Sequence, residues 1–142
     1  MNEKAFFWQV QNGQLPAPKA AATLGIRILA VDGESGTIEV SFEAIEAFTN
    51  PVGNIQGGFL AAMLDDTMGP ALASTLGEGE FAPTLNLNVS FHRPARVGTL
   101  LGRGRVERRG GQVCFLSAEL EQAGKVVATA TATALVSRVQ PC

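Results

Sequence analysis

One stretch of this 142-residue sequence, GGFLAAMLDDTMGPALASTL at residues 57–76, holds its only long helical pattern. Apolar residues recur at Phe59, Leu60, Met63, Leu64, Met68, Leu72 and Leu76, close to a helical period, and almost every other position is Ala, Gly, Ser or Thr. A helix that is apolar nearly all round is buried on most faces, so the rest of the chain has to enclose it. Gly69-Pro70 is expected to kink or end it, since proline removes a backbone donor and clashes with the preceding turn. Two adjacent acids, Asp65 and Asp66, interrupt the apolar run. They cannot both be idle and unpaired there, because an isolated buried charge is very costly.

Strands are what the remaining sequence offers as an enclosure. Ile26 to Val31 and Thr37 to Phe42 flank the turn-forming Asp32-Gly33-Glu34-Ser35-Gly36 and read as a hairpin. From Thr84 the pattern is strand after strand. TLNLNVSF alternates, with Leu85, Leu87, Val89 and Phe91 on one parity; TLLGRGRVERR, QVCFLSAELE and KVVATATATALV follow, divided by Gly110-Gly111 and Ala123-Gly124. Ala128, Ala130, Ala132 and Ala134 alternate with threonines, which suggests that something large, plausibly the central helix, presses on that strand. At the start, Phe6, Phe7 and Val10 lie on one side of a short amphipathic helix, and residues 11–25, with two prolines and two glycines, read as an ordered connector. The expected fold class is α+β: an antiparallel sheet of about five or six strands wrapped around one long helix. Residues 1–142 make one domain, with 1–25 as its N-terminal helix and connector.

Composition narrows the function. Apolar residues are 46%, charged residues 17% and the formal charge −2, which gives no reason to expect nucleic acid or an anionic membrane as partner. No apolar run approaches the ~20 residues of a membrane span, and MNEKAFFWQVQNG lacks the features of a signal peptide, so the cytoplasm is the expected compartment. Cys114 and Cys142 are too few for a disulfide framework or a cysteine-based metal site, and no metal is expected. The charge is uneven: residues 1–92 hold ten of the thirteen acids and three of the eleven basic residues, and residues 93–109 hold six arginines. Arg103, Arg105 and Arg109 share one parity, as on a solvated strand face. The other reading is a docking rim for a phosphorylated ligand, since guanidinium groups pair bidentately with phosphate.

The stretches NPVGNIQGGFLAAMLDD, TLNLNVSFHRPARVG, VERRGGQVCFLSAEL and GKVVATATATALV, in this order, resemble the hotdog-fold acyl-CoA thioesterases of the phenylacetic-acid-degradation (PaaI-like) type. LPAPKAAATLG resembles that family's approach to its first strand, so the likeness covers nearly the whole chain. It implies hydrolysis of an acyl-CoA thioester, no cofactor beyond the CoA that is part of the substrate, and a homodimer or homotetramer. One departure stands at the most diagnostic place. Many members carry His-Gly-Gly where this chain has Gln56-Gly57-Gly58. A mechanism needing histidine as acid or base fails here, and the only histidine, His92, reads as an edge or interface residue.

Thioester hydrolysis needs a place for the negative charge that develops on the carbonyl oxygen. A helix start offers unpaired amides and the positive end of the dipole, and glycine lets a ligand approach them closely. Gly57 and Gly58 are therefore candidate oxyanion donors, with the Gln56 amide holding the carbonyl; the plainer reading is a tight strand-to-helix turn. The resemblance puts the catalytic carboxylate at Asp65, as general base or nucleophile. Asp65 lies roughly 12–13 Å along the axis from its own helix start, too far to act on a carbonyl bound there. The resemblance implies a site shared between subunits, in which one chain's glycines meet another chain's Asp65 across antiparallel helices. Asp66, 100° further round, is expected to point to solvent, a strand-end amide or an arginine. The resemblance also makes Thr84 and Asn50 candidates for orienting the water or the carboxylate; the plainer readings are an ordinary strand-start threonine and a routine Asn-Pro turn. Arg96, Arg108, Arg109, Gly110 and Gly111 are candidates for the CoA phosphates. Phe48, Phe59, Met63, Met68 and Phe81 are candidate pocket walls, although such a stripe is more often core. The alternative to catalysis is a hotdog protein that binds acyl-CoA or an aromatic ligand without turnover.

Overall fold

A computed structural model describes residues 2–138; Met1 and residues 139–142, Cys142 included, lie outside the described residues. The chain opens with two short helices, α1 (Phe6–Gln11) and α2 (Lys19–Leu24), and a hairpin of β1 (Arg27–Asp32) and β2 (Thr37–Ala44). A 3₁₀ turn at Glu46–Phe48 leads to the long helix α3 (Gly57–Ala73), and β3 (Glu80–Phe81) follows. The rest is strand: β4 (Thr84–Phe91), β5 (Gly98–Arg109), β6 (Val113–Gln122), β7 (Lys125–Leu135) and β8 (Ser137–Arg138). Six strands form one sheet in the order β1-β2-β5-β6-β7-β4, every neighbouring pair antiparallel, and β3 pairs with β8 apart from it. The α+β expectation holds: α3 packs against five of the six strands.

The core forms where the apolar stripe of α3 meets the inner face of the sheet. Met63, Leu64, Met68 and Leu72 are fully buried against Val40 and Phe42 of β2, Leu100 of β5, Leu120 of β6 and Val127 of β7. The four alternating alanines of β7 are buried as well, and α3 packs on that strand. On β5 the helix comes closer still. A Cβ on Gly102 would lie 2.7 Å from Thr67 Oγ1, and one on Gly104 would lie 3.0 Å from the Thr67 carbonyl oxygen. Only glycine lets the helix backbone lie this near the strand.

Four local expectations are corrected. Residues 19–24 are helical rather than a connector, and Gly25 ends that helix with φ 66°, the left-handed conformation that glycine adopts freely. Pro70 does not end α3, because it falls in the last turn and removes only the amide that would bond the Asp66 carbonyl. The helix instead stops at Ala73, where Ser74 Oγ and Thr75 Oγ1 donate to the Ala71 and Leu72 carbonyls at 2.7 and 2.6 Å and the amides of Thr75 and Leu76 tighten to three-residue bonds. An irregularity between Val106 and Arg108 adds a residue to β5, so the shared parity of Arg103, Arg105 and Arg109 breaks. Arg109 pairs with buried Cys114 and reaches Thr75 behind α3, whereas Arg103 and Arg105 lie on the outer face beside Glu39, Glu121 and Glu107. β4 is an edge strand: Leu87 and Val89 pack on the core, but Leu85 and Phe91 are 57% and 55% exposed.

The helix–strand contact predicts a strong stability effect. Gly104→Ala should lower unfolding free energy by about 1–3 kcal/mol, since helix backbone cannot yield to the added methyl. Gly111→Ala, where a Cβ meets nothing within 4 Å, should stay within about 0.5 kcal/mol of the parent in the same urea titration.

Candidate active site

Because Thr67 faces β5, the two residues before it on α3 are turned off the sheet. At 100° per residue, Asp66 points to the side and Asp65 away from β5. Both reach a cavity of about 580 Å³. Its polar end is formed by Asp65, Asp66 and Thr84; its apolar wall comes from Phe6, Phe7 and Val10 of α1, Ala21 of α2, Ile28 of β1, and Phe81. A larger, shallower hollow of about 730 Å³ lies on the outer face of the sheet among Asp32, Glu39, Arg103 and Glu119, remote from the acids of α3.

The adjacent acids sit in unlike surroundings. Thr84 Oγ1 donates to Asp65 Oδ1 at 2.9 Å, so the expected neighbours are in contact. Asp66 meets neither a strand-end amide nor an arginine: the residue is half-buried, and its Oδ2 is buried with no hydrogen-bond partner among the described residues. Burial, and then the negative charge of Asp65, push the Asp66 carboxyl up to about 6.

The helix start is assembled by its flanking loops. Asn50 Oδ1 accepts the amides of Val52 and Asn54, both at 3.1 Å, which closes the NPVGN turn. Ile55 then donates to the Ala95 carbonyl and Gln56 to the Phe48 carbonyl, each at 2.9 Å. The Gln56 carbonyl accepts the Phe59 amide, while its exposed side chain and the amides of Gly57 and Gly58 have no hydrogen-bond partner among the described residues. The Phe91 ring comes within 3.0 Å of where a Gly57 Cβ would sit, and Gly58 faces open space. The helix start therefore presents two free donors and one unobstructed glycine.

The other candidate residues divide between the two ends of α3. Arg96 follows Ala95 at the helix start, its backbone held by both ends of the Gln122 amide at 2.8 Å and its side chain exposed. Arg108, Arg109, Gly110 and Gly111 lie at the opposite end, where Arg109 contacts Thr75; the 17-residue helix puts about 24 Å between the groups. Gly110 packs on the Val113 carbonyl, and Gly111 is open. Of the candidate pocket walls only Phe81 lines the cavity. Met63 and Met68 are fully buried, and Phe48 stacks on Phe59 with ring centres 4.3 Å apart. His92 is exposed and hydrogen-bonds Thr129 at 2.8 Å.

What the sequence reading missed is the cavity wall on α1, whose only sequence signal is the apolar side of Phe6, Phe7 and Val10. The isolation of Asp66 has a measurable consequence. A carboxyl raised in the folded state gives stability that is full below its unfolded value of 3.8 and is lost as pH rises through about 6. Asp66→Asn should match the parent at pH 3.5 and exceed it by about 1–2 kcal/mol at pH 8, allowing for solvent screening. Urea titrations at both pH values check this; an equal difference at each would contradict it.

Comparison with known proteins identifies the family and the fold. A family model described as the thioesterase superfamily matches residues 52–129. A phenylacetic acid degradation-related protein from Ralstonia eutropha JMP134 superposes with a TM-score of 0.90 at 52% identity, over 92% of this chain and 98% of that one. The PaaI protein of the E. coli phenylacetic acid degradation operon gives 0.80 at 25% identity, over 94% of each. Acyl-coenzyme A thioesterase 13 from Homo sapiens is 26% identical over 105 residues, 72% of this chain and 74% of that protein. With the long helix and both of its acids inside the matched span, the chain belongs to the thioesterase superfamily and has its hotdog fold.

Proposed function

We propose that the protein hydrolyses an acyl-CoA thioester to the free acid and CoA, in the cytoplasm, at a site shared between two copies of the chain. The observation that carries this is Asp65 at the polar end of an apolar cavity, held by the Thr84 hydroxyl, on the helix whose first two amides are unpartnered among the described residues. Those donors lie more than two turns from Asp65, too far to act on one carbonyl within one copy. A second copy, docked with its α3 antiparallel, supplies them. The open edge of β4 supports that pairing. Its exposed Phe91 packs over Gly57, so a copy seated on this edge meets the helix start.

In this reading the thioester carbonyl is held by the Gly57 and Gly58 amides and the Gln56 side chain of one copy. Asp65 of the other takes a proton from water as it attacks the carbonyl carbon, or attacks directly and is released by water from a mixed anhydride. The Thr84 bond fixes Oδ1 and leaves Oδ2 for that step. Negative charge on the tetrahedral oxygen is stabilised by donors already aimed at it, and collapse expels CoA as thiolate. No histidine and no further cofactor enter. Arg96, beside the helix start, suits a CoA phosphate; Arg108 to Gly111 would serve only from the other copy.

Asp65→Asn should lower kcat at least about 100-fold with the oligomer unchanged, measured as thiol release from short, medium and aromatic acyl-CoAs. Gly58→Pro, tolerated in the first helical turn, deletes one candidate donor and should also inactivate. Mixing the two inactive variants and allowing subunits to exchange should restore activity, since each mixed pair regains one intact site. Failure to rescue would overturn the shared site. Tight binding with no turnover by the parent, indifferent to Asp65→Asn, would instead establish a binding protein.

A further inference from the structure

The cavity in front of Asp65 also constrains which acyl group fits. Its volume, about 580 Å³, lies within the range of small-ligand pockets. The wall opposite the acids is α1, which is fastened rather than loosely laid across the opening. Trp8 is buried and donates its indole N–H to the Ser74 carbonyl at 3.1 Å, and the Phe7 ring meets it edge-on. Gly33 admits this anchor, because a Cβ there would lie 3.0 Å from the Trp8 ring and 2.7 Å from Ser74 O. With Trp8 fixed, Phe6, Phe7 and Val10 are directed at the cavity. These residues precede the span 52–129 that the family model matches.

The charged groups facing the cavity are all acidic. Asp65 and Asp66 come from α3 and Glu80 from β3; among the described residues no lysine or arginine lines it, and Arg138, which pairs with Glu80 on β8, is outside the lining. Glu80 Oε1 is occupied by the Gly77 amide at 2.7 Å, whereas Asp66 Oδ2 has no partner among the described residues. A neutral apolar group entering here loses water only from apolar surface. A group carrying its own carboxylate would be desolvated beside like charges, with no cation to pair it.

Resting on the acyl-CoA reading above, we propose that the α1-walled cavity holds the acyl group and selects uncharged aliphatic or aryl acyl chains over chains that end in a carboxylate. Val10 and Phe7 set the length and width accepted. Phe6, 55% exposed at the rim, controls what charge is tolerated there.

The test compares kcat/KM for acetyl-, hexanoyl-, benzoyl- and adipoyl-CoA. The parent should favour hexanoyl- and benzoyl-CoA over adipoyl-CoA by at least about tenfold. Val10→Trp, which fills the cavity from α1, should lower the values for hexanoyl- and benzoyl-CoA about tenfold more than that for acetyl-CoA. Phe6→Arg, at an exposed position that tolerates substitution, should shift the adipoyl-to-hexanoyl ratio about tenfold toward adipoyl-CoA. Equal effects on all four substrates in both variants, or a parent that prefers adipoyl-CoA, would overturn the assignment. Failure of the parent to turn over any of them would overturn the thioesterase reading itself, and the assignment with it.

Discussion

Everything around the site depends on how closely α3 lies against β5. Two glycines on alternate positions of that strand, Gly102 and Gly104, leave a trough, and Thr67 fills it with its side chain and its carbonyl. The Thr67 hydroxyl is satisfied within the helix by Met63 O at 2.7 Å, so burial of this polar group costs little. A contact this close fixes both the height and the rotation of α3. With Thr67 against the strand, Met63 and Met68 must enter the core and Asp65 must leave it. The chemistry of the helix is thus set from its opposite face.

The same rotation gives two neighbouring carboxyls unequal histories. Asp65 emerges where β4 begins and finds the Thr84 hydroxyl; Asp66 remains half-buried at the flank of the helix, its Oδ2 without a partner among the described residues. An unpaired buried acid is a standing cost to the fold, and such costs persist at sites in use. Here it makes the inner end of the cavity anionic, a property that bears on which acyl groups enter.

Large features were legible because they rest on periodicity. The apolar stripe of α3, the 27–44 hairpin, the alternating alanines of β7 and the order of strands all follow from patterns that burial imposes over many residues. Single-residue events were not. One extra residue near Arg108 reverses the parity of Arg109, and nothing in TLLGRGRVERR marks it. The glycines of GRGR stand in plain view, yet their meaning depends on a helix crossing 35 residues away in sequence. The site divided the same way. The resemblance named Asp65 and Thr84, which the fold brings into contact, whereas Arg96 and the Arg108–Gly111 hairpin, both candidates for the CoA phosphates, occupy opposite ends of α3. The Phe6, Phe7 and Val10 stripe was visible as a pattern; its target was not, because a six-residue helix carries no signal of where it docks.

These placements bear on why such a site would be divided between copies. A helix has one start, and its free amides point back along the axis, away from every side chain further down. A carboxylate on the same helix can sit beside the trough that orients it, or beside the amides, but not both. Phe91 closes one side of Gly57, so approach to the donors is from the side on which Gly58 is open, beside the free edge of β4. On the proposed reading the pairing edge and the oxyanion donors are neighbours for this reason. The strand that a second copy would cover is the one whose first residue, Thr84, holds Asp65 and whose last, Phe91, shields Gly57. Association along β4 would then assemble both halves of the chemistry in one step, with α1 left free on its own face to set the acyl group.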